Sequence, residues 1–141
     1  MTHRCLSRSL GIALAAALPL VAQAQAAAPV TTSSGLVYTS VVEGKGASPA
    51  ATDVVKVHYR GTFPDGKEFD SSYSRNAPAT FPLGRVIPCW TEGVQKMKVG
   101  GKAQLVCPAK IAYGERGAGN GAIPPNATLH FEVELLEINP R

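Results

Sequence analysis

The side chains able to make or break bonds are few in this chain and poorly placed to act together. His58 and His130 fall on the polar sides of two alternating segments, and neither shares a zinc-ligand spacing with a cysteine. Ser71-Ser72 lacks the glycine-flanked setting of a hydrolase nucleophile. Asp65, Glu68 and Asp70 imitate a carboxylate cluster, but the first two flank a turn, where such residues are common. The stretch from Gly114 to Pro125 invites a phosphate-cradle reading. No strand feeds it directly, however, and Ile123-Pro124-Pro125 follows where a helix would have to open. Cys89 and Cys107 lack the C-x-x-C spacing of a redox pair. Chemistry that needs a nucleophile, a paired acid and base, a metal or a cofactor is therefore not expected.

What remains is a stock of aromatic and apolar residues at the ends of elements: Tyr59, Phe69, Phe81, Val86, Ile87, Trp90, Tyr113, Ile123 and Phe131. Any one of them alone reads as core. It is their combination, within an ordered set of motifs, that departs from plain core packing.

The elements that must position them centre on residues 86–97. Pro88 holds Ile87 extended, because a residue before proline is pushed out of the helical region. Trp90, Val94 and Met97 then fall on one helical face. Glu92 and Lys96 suit the helix dipole, and Gly100-Gly101 is the expected stop. So short a helix is marginal alone, since about 12 residues are usually needed, and strands must wrap it. Strands are read at Leu36–Val42, Asp53–Thr62, Glu68–Asp70, Lys102–Cys107 and from Leu129 onward. In the second, Val55, Val57 and Tyr59 alternate with Lys56, His58 and Arg60. Phe63-Pro64-Asp65-Gly66-Lys67 is a tight reversal. The fold class is α+β, a five-to-six-stranded antiparallel sheet curved around one short helix.

The 141 residues suffice for one domain. Arg4 and Arg8 precede an apolar run from Leu10 to Ala22, followed by A-x-A sites at Ala24 and Ala26, the layout of a secretory signal peptide over 1–26. Residues 27–34 read as a flexible lead-in and 35–141 as the folded domain, without a membrane anchor and in the periplasm or secreted. Loss of Arg4 and Arg8 reduces 14 basic residues to 12 against 10 acidic, so the net charge falls from +4 to +2. That near-neutral balance, with no basic stripe, argues against a nucleic-acid partner. Two cysteines remain after cleavage, and an even count in an oxidising compartment invites a Cys89–Cys107 disulfide. Two buried free thiols are the alternative, since sequence does not show whether the pair comes within reach.

The motifs Val57-His58-Tyr59-Arg60-Gly61, Asp65-Gly66-Lys67-Glu68-Phe69-Asp70-Ser71-Ser72, Val86-Ile87-Pro88-Cys89-Trp90, Ala112-Tyr113-Gly114 and the run from Ile123 to Leu136 occur in this order. In that arrangement the chain resembles the FKBP-type peptidyl-prolyl cis-trans isomerases from about Gly35 to Ile138. The resemblance implies a pocket between helix and sheet. Trp90 would be its floor, and Tyr59, Phe69, Phe81 and Phe131 its walls, with Val86, Ile87 and Ile123. The Ile87 backbone N–H and the Tyr113 hydroxyl would bond carbonyls of a bound peptide. Asp70 would lie beside Tyr59 facing the twisting amide, with Arg75 close to it, and the glycine-rich loop would be a flap. Expected partners are proline-containing polypeptides, with tacrolimus-type macrolides as inhibitors, and a monomer is expected. A non-catalytic peptide binder or holding chaperone using the same groove is the alternative. Departures from the family pattern are Ala79, where many relatives carry an aromatic residue, Cys89 in place of glycine and Cys107 in place of serine. The joint arrival of the two cysteines favours the disulfide.

Overall fold

The computed structural model describes Gly11 and residues 28–139. Apart from Gly11, the expected signal peptide therefore lies outside the described residues. The strands are β1 (Val30–Thr31), β2 (Val37–Val42), β3 (Val54–Thr62), β4 (Glu68–Ser71), β5 (Ala79–Pro82), β6 (Lys102–Cys107) and β7 (Leu129–Asn139), with one α-helix, α1 (Pro88–Gln95), between β5 and β6. All pairings are antiparallel. The order is β1-β2-β6-β7-β3, and the free side of β3 is shared by β4 and β5.

The alternation read in β3 is present: Val55, Val57 and Tyr59 are buried and Arg60 is exposed. β6 and β7 repeat it with Ala103, Leu105, Cys107 and Leu129, Phe131, Val133, Leu135 facing inward. Seven strands rather than five to six arise from β1 and β5. β5 carries little pattern of its own: its two inward positions are separated by Thr80, and it ends in Pro82, which limits it to an edge. The lead-in expected to be flexible carries β1, two residues paired with Val37 and Tyr38.

α1 starts at Pro88, whose ring pre-sets the helical φ, behind an extended Ile87 (φ −58°, ψ 147°). It ends earlier than expected: the Lys96 N–H bonds to the carbonyls of Gly93 and Val94, and Gly100-Gly101 shapes the following turn instead. The Gly100 N–H donates to Leu135 O at 2.9 Å, and Leu135 N–H donates to Gly101 O at 3.0 Å, so this turn docks on β7. No acid lies in the first turn of α1 and no base in its last. Glu92 instead accepts a hydrogen bond from Ser34 Oγ at 2.5 Å, tying the lead-in to the helix.

α1 presses its Cys89, Trp90, Gly93 and Val94 face onto the sheet. A Cβ at Gly93 would meet Leu105 Cδ2 at 2.8 Å, so glycine sets how closely helix and sheet approach. Cys89 and Cys107 are joined by a disulfide, with Cα atoms 5.8 Å apart and neither residue exposed. The bridge fastens the first turn of α1 to the end of β6. Replacing both cysteines by alanine is expected to lower stability by about 3 kcal/mol, from the entropy of the 18-residue separation. The urea midpoint measures it, and an unchanged midpoint contradicts the account.

Candidate active site

Between α1 and the concave face of the sheet lies a cleft of about 320 Å³. Its floor is Trp90, which is 4% exposed. Three rings stand perpendicular or nearly so to the indole: Tyr59 at 5.2 Å and 82°, Phe131 at 5.4 Å and 89°, and Phe81 at 5.6 Å and 89°. Such edge-to-face pairs contribute about 0.5–1.5 kcal/mol each beyond burial. The indole N–H has no hydrogen-bond partner among the described residues, so ring packing rather than a polar anchor holds Trp90.

Phe69 and Asp70 both line the cleft although they are consecutive, which a regular strand forbids because successive side chains point to opposite faces. The cause is a bulge. Gly61 pairs with Asp70 and Thr62 with Glu68, leaving Phe69 without a partner residue on β3. The freed Phe69 ring folds over Gly61 and meets Phe131 at 5.6 Å and 86°. A Cβ at position 61 would lie 2.5 Å from Phe69 Cζ and 3.0 Å from Phe131 Cε1, so only glycine leaves room for both rings.

One end of the cleft is polar. The Tyr59 hydroxyl donates to Asp70 Oδ2 at 2.5 Å, Arg75 Nη1 donates to Asp70 Oδ1 at 2.6 Å, and Arg75 Nη2 donates to the Tyr59 hydroxyl at 3.0 Å. Burial works against ionisation of Asp70, but the Tyr59 hydroxyl and the Arg75 guanidinium outweigh it and hold the carboxyl below its usual range. Burial, and then the bond to Asp70, pushes the Tyr59 phenol up, so it stays protonated as a donor. Burial first and the Asp70 charge second also raise the Tyr113 phenol, which stays protonated as a donor. Tyr113 lines the cleft and is 39% exposed.

Ser72 fixes this cluster from behind. Its Oγ accepts the Tyr59 N–H at 2.7 Å and lies 2.8 Å from His58 Nδ1, while its own N–H donates to Tyr59 O at 3.0 Å. His58 in turn stacks on Tyr73 at 4.7 Å and 13°. The segment that carries Arg75, the 3-10 turn Tyr73–Arg75, is thus bound to the strand that carries Tyr59.

Of the residues singled out in the sequence, Tyr59, Phe69, Asp70, Phe81, Val86, Ile87, Trp90, Tyr113 and Phe131 meet in the cleft. Arg75 stands behind its wall through Asp70 and Tyr59. Ile123, 7% exposed, packs with the core cluster, and its N–H and C=O pair with Ala118 across the glycine-rich loop. That loop is therefore anchored by its own backbone pairing. Ser72 and Arg85 were not foreseen as site residues. The first looked like a turn former, and the second is a single cation whose one clue is its place just before Val86-Ile87. Among the described residues no three His, Cys, Asp or Glu side chains gather to hold a metal.

A family model described as FKBP-type peptidyl-prolyl cis-trans isomerase matches residues 45–136. The chain is 57% identical over 119 residues to FkpA of Aeromonas hydrophila, covering 84% of this chain and 44% of that protein. It resembles the crystal structure of Escherichia coli FkpA with a TM-score of 0.77 at 53% identity, over 79% of this chain and 52% of that one. A Pseudomonas syringae peptidyl-prolyl cis-trans isomerase structure matches with a TM-score of 0.73 at 40% identity, over 79% and 80%. The chain thus spans less than half the length of FkpA proteins it matches.

Two outcomes are expected. Because the folded pKa of Asp70 is lowered, its contribution to stability is complete above the ordinary carboxylate range and disappears as pH falls through the folded value. Asp70→Asn should therefore flatten the acid limb of a stability-versus-pH curve, by less than about 1 kcal/mol for a partly exposed pair; an acid limb as steep as wild type contradicts this. Gly61→Ala should cost roughly 1–3 kcal/mol by overpacking, and denaturation that matches wild type would show that the two rings are free to move.

Proposed function

The chain belongs to the family of FKBP-type peptidyl-prolyl cis-trans isomerases, and from that premise we propose that its cleft turns X–Pro peptide bonds of exported polypeptides between cis and trans, assisting their folding. The observation that carries the reading is a desolvated aromatic floor and walls with one ionised carboxylate, bound by Tyr59 and Arg75, at the edge. A binding groove has no need of that carboxylate; a rotating amide can use it.

Rotation about a peptide bond is opposed by about 18–20 kcal/mol because the C–N bond is partly double. No bond breaks and no proton has to move. In this reading the proline ring sits on Trp90 between Tyr59, Phe81 and Phe131. The apolar walls exclude water from the carbonyl and so weaken the charge-separated form that keeps the amide planar. The Asp70 carboxylate, held beside the turning carbonyl, opposes negative charge on its oxygen and favours the twisted state. The Tyr113 hydroxyl donates to a substrate carbonyl. The Ile87 N–H donates to another, since it bonds to nothing among the described residues. Each 1.36 kcal/mol removed from the barrier is tenfold in rate, and interactions stronger in the twisted state are the ones that count.

The disulfide suits an oxidising compartment, and with the expected leader it supports a periplasmic or secreted location. No helix among the described residues is long and apolar enough to cross a membrane. Tacrolimus-type macrolides should compete for the cleft. The isolated chain is taken as a monomer.

The test is the cis-to-trans relaxation of a Leu-Pro-Phe peptide, which uncatalysed takes roughly tens to hundreds of seconds. Acceleration abolished by tacrolimus is expected. Asp70→Leu and Tyr113→Phe should each reduce kcat/KM roughly tenfold, the equivalent of one hydrogen bond of about 1.4 kcal/mol. Relaxation at the uncatalysed rate while tacrolimus still binds overturns the catalytic reading and leaves a peptide binder.

A further inference from the structure

The cleft has a second cation that the twisting of an amide does not use. Arg85 closes the 3-10 turn Leu83–Arg85 and lines the cleft beside Val86 and Ile87. It is exposed, and its guanidinium forms no ion pair among the described residues. Asp53 shares a shallow groove with it, but Asp53 Oδ2 accepts the Ala50 N–H at 2.8 Å and makes no ion pair with Arg85. The other cation, Arg75, is matched by Asp70 at 2.6 Å. One positive charge is therefore left unmatched on the cleft wall.

The sheet register says which end it occupies. Asp70 pairs with Gly61, whereas Pro82, the residue before the Arg85 turn, pairs with Val54. Gly61 and Val54 are seven positions apart on β3, roughly 20 Å along a strand. Asp70 thus lies toward one end of β3, and the turn that carries Arg85, next to Val86 and Ile87, lies toward the other. A peptide whose X–Pro amide turns beside Asp70 and Tyr113 lays its proline ring on Trp90. With its next carbonyl on the Ile87 N–H, as the proposed function has it, the residue after proline would cross the rim at Arg85.

We infer that this cleft prefers X–Pro substrates with a carboxylate side chain on the residue that follows the proline. The inference deepens the isomerase reading and takes its placement of the substrate from it. The acidic side chain meets a fork-shaped donor suited to bidentate carboxylate contact. Placed before the proline, the same side chain would face the ionised Asp70 and gain nothing.

Exchange NMR on the chain with three peptides, Ala-Leu-Pro-Glu-Phe, Ala-Leu-Pro-Gln-Phe and Ala-Glu-Pro-Gln-Phe, tests it. The expected kcat/KM ratio of the first to the second is about two- to fivefold at low ionic strength, the range of an exposed ion pair. The ratio should fall toward one in about 1 M salt, where the Debye length is about 3 Å. It should also fall toward one in Arg85→Gln and invert in Arg85→Glu, and the third peptide should show no gain over the second. Equal rates for the first two peptides, or a preference that survives Arg85→Gln, overturns the inference. Titration of the same peptides gives Kd values independently of turnover. If no peptide is accelerated the isomerase reading fails. A Kd preference for the first peptide that Arg85→Gln removes still supports the Arg85 assignment, and equal Kd values overturn it.

Discussion

Everything at the site depends on keeping one tryptophan upright in the first turn of a helix too short to stand alone. α1 has eight residues, below the length at which a helix is stable in water. Its shape comes from what surrounds it: Pro88 at its start, the disulfide from Cys89 to β6, and Leu105 pressed against Gly93. Trp90 contributes the largest buried surface of the helix and has three rings at right angles to it. The same contacts make the core and shape the cleft, so stability and site geometry are not separable here. Losing the indole would remove the floor of the cleft and the main reason for α1 to dock.

The sheet imposes a second constraint. β7, the last strand in sequence, lies between β3 and β6 and pairs along both. Phe131, on β7, supplies a wall of the cleft, and the glycine-rich loop is closed just before β7 by the Asn126 N–H on Gly114 O at 2.8 Å. The cleft is therefore complete only when the most distant strand has been inserted. Non-local pairing of this kind slows folding relative to local contacts, and the Cys89–Cys107 bond fixes the helix to β6 beside that strand.

The parts legible in the sequence were those with a regular period. Alternation in β3, β6 and β7 reveals which side is buried, and i, i+4, i+7 spacing finds Trp90, Val94 and Met97. β5 was not legible because four residues ending in proline carry too little pattern, and β1 is only two residues long. The helix end was misplaced because glycine signals a turn as readily as a cap, and here Gly100-Gly101 serves β7. Eight lining residues were legible as an aromatic and apolar set; Ile123 belongs to the same set, but apolar character suits core and pocket equally, and its side chain packs with the buried cluster. Ser72 and Arg85 were missed for a related reason. A serine in a turn-rich stretch and one exposed arginine become meaningful only when register sets them against Tyr59 and against the cleft rim. The bulge at Phe69, which turns two consecutive side chains to one side, has no sequence period at all.

In the proposed reading the cleft lowers a rotational barrier by desolvation and fixed charge, with no proton transferred. The decisive quantity is the solvent deuterium isotope effect on kcat/KM, measured by exchange NMR on an X–Pro peptide. The same rate is expected in light and heavy water after correction for viscosity, because every hydrogen bond in the site keeps its proton on its donor. A rate clearly lower in heavy water would mean that a proton moves in the limiting step, and would contradict the account.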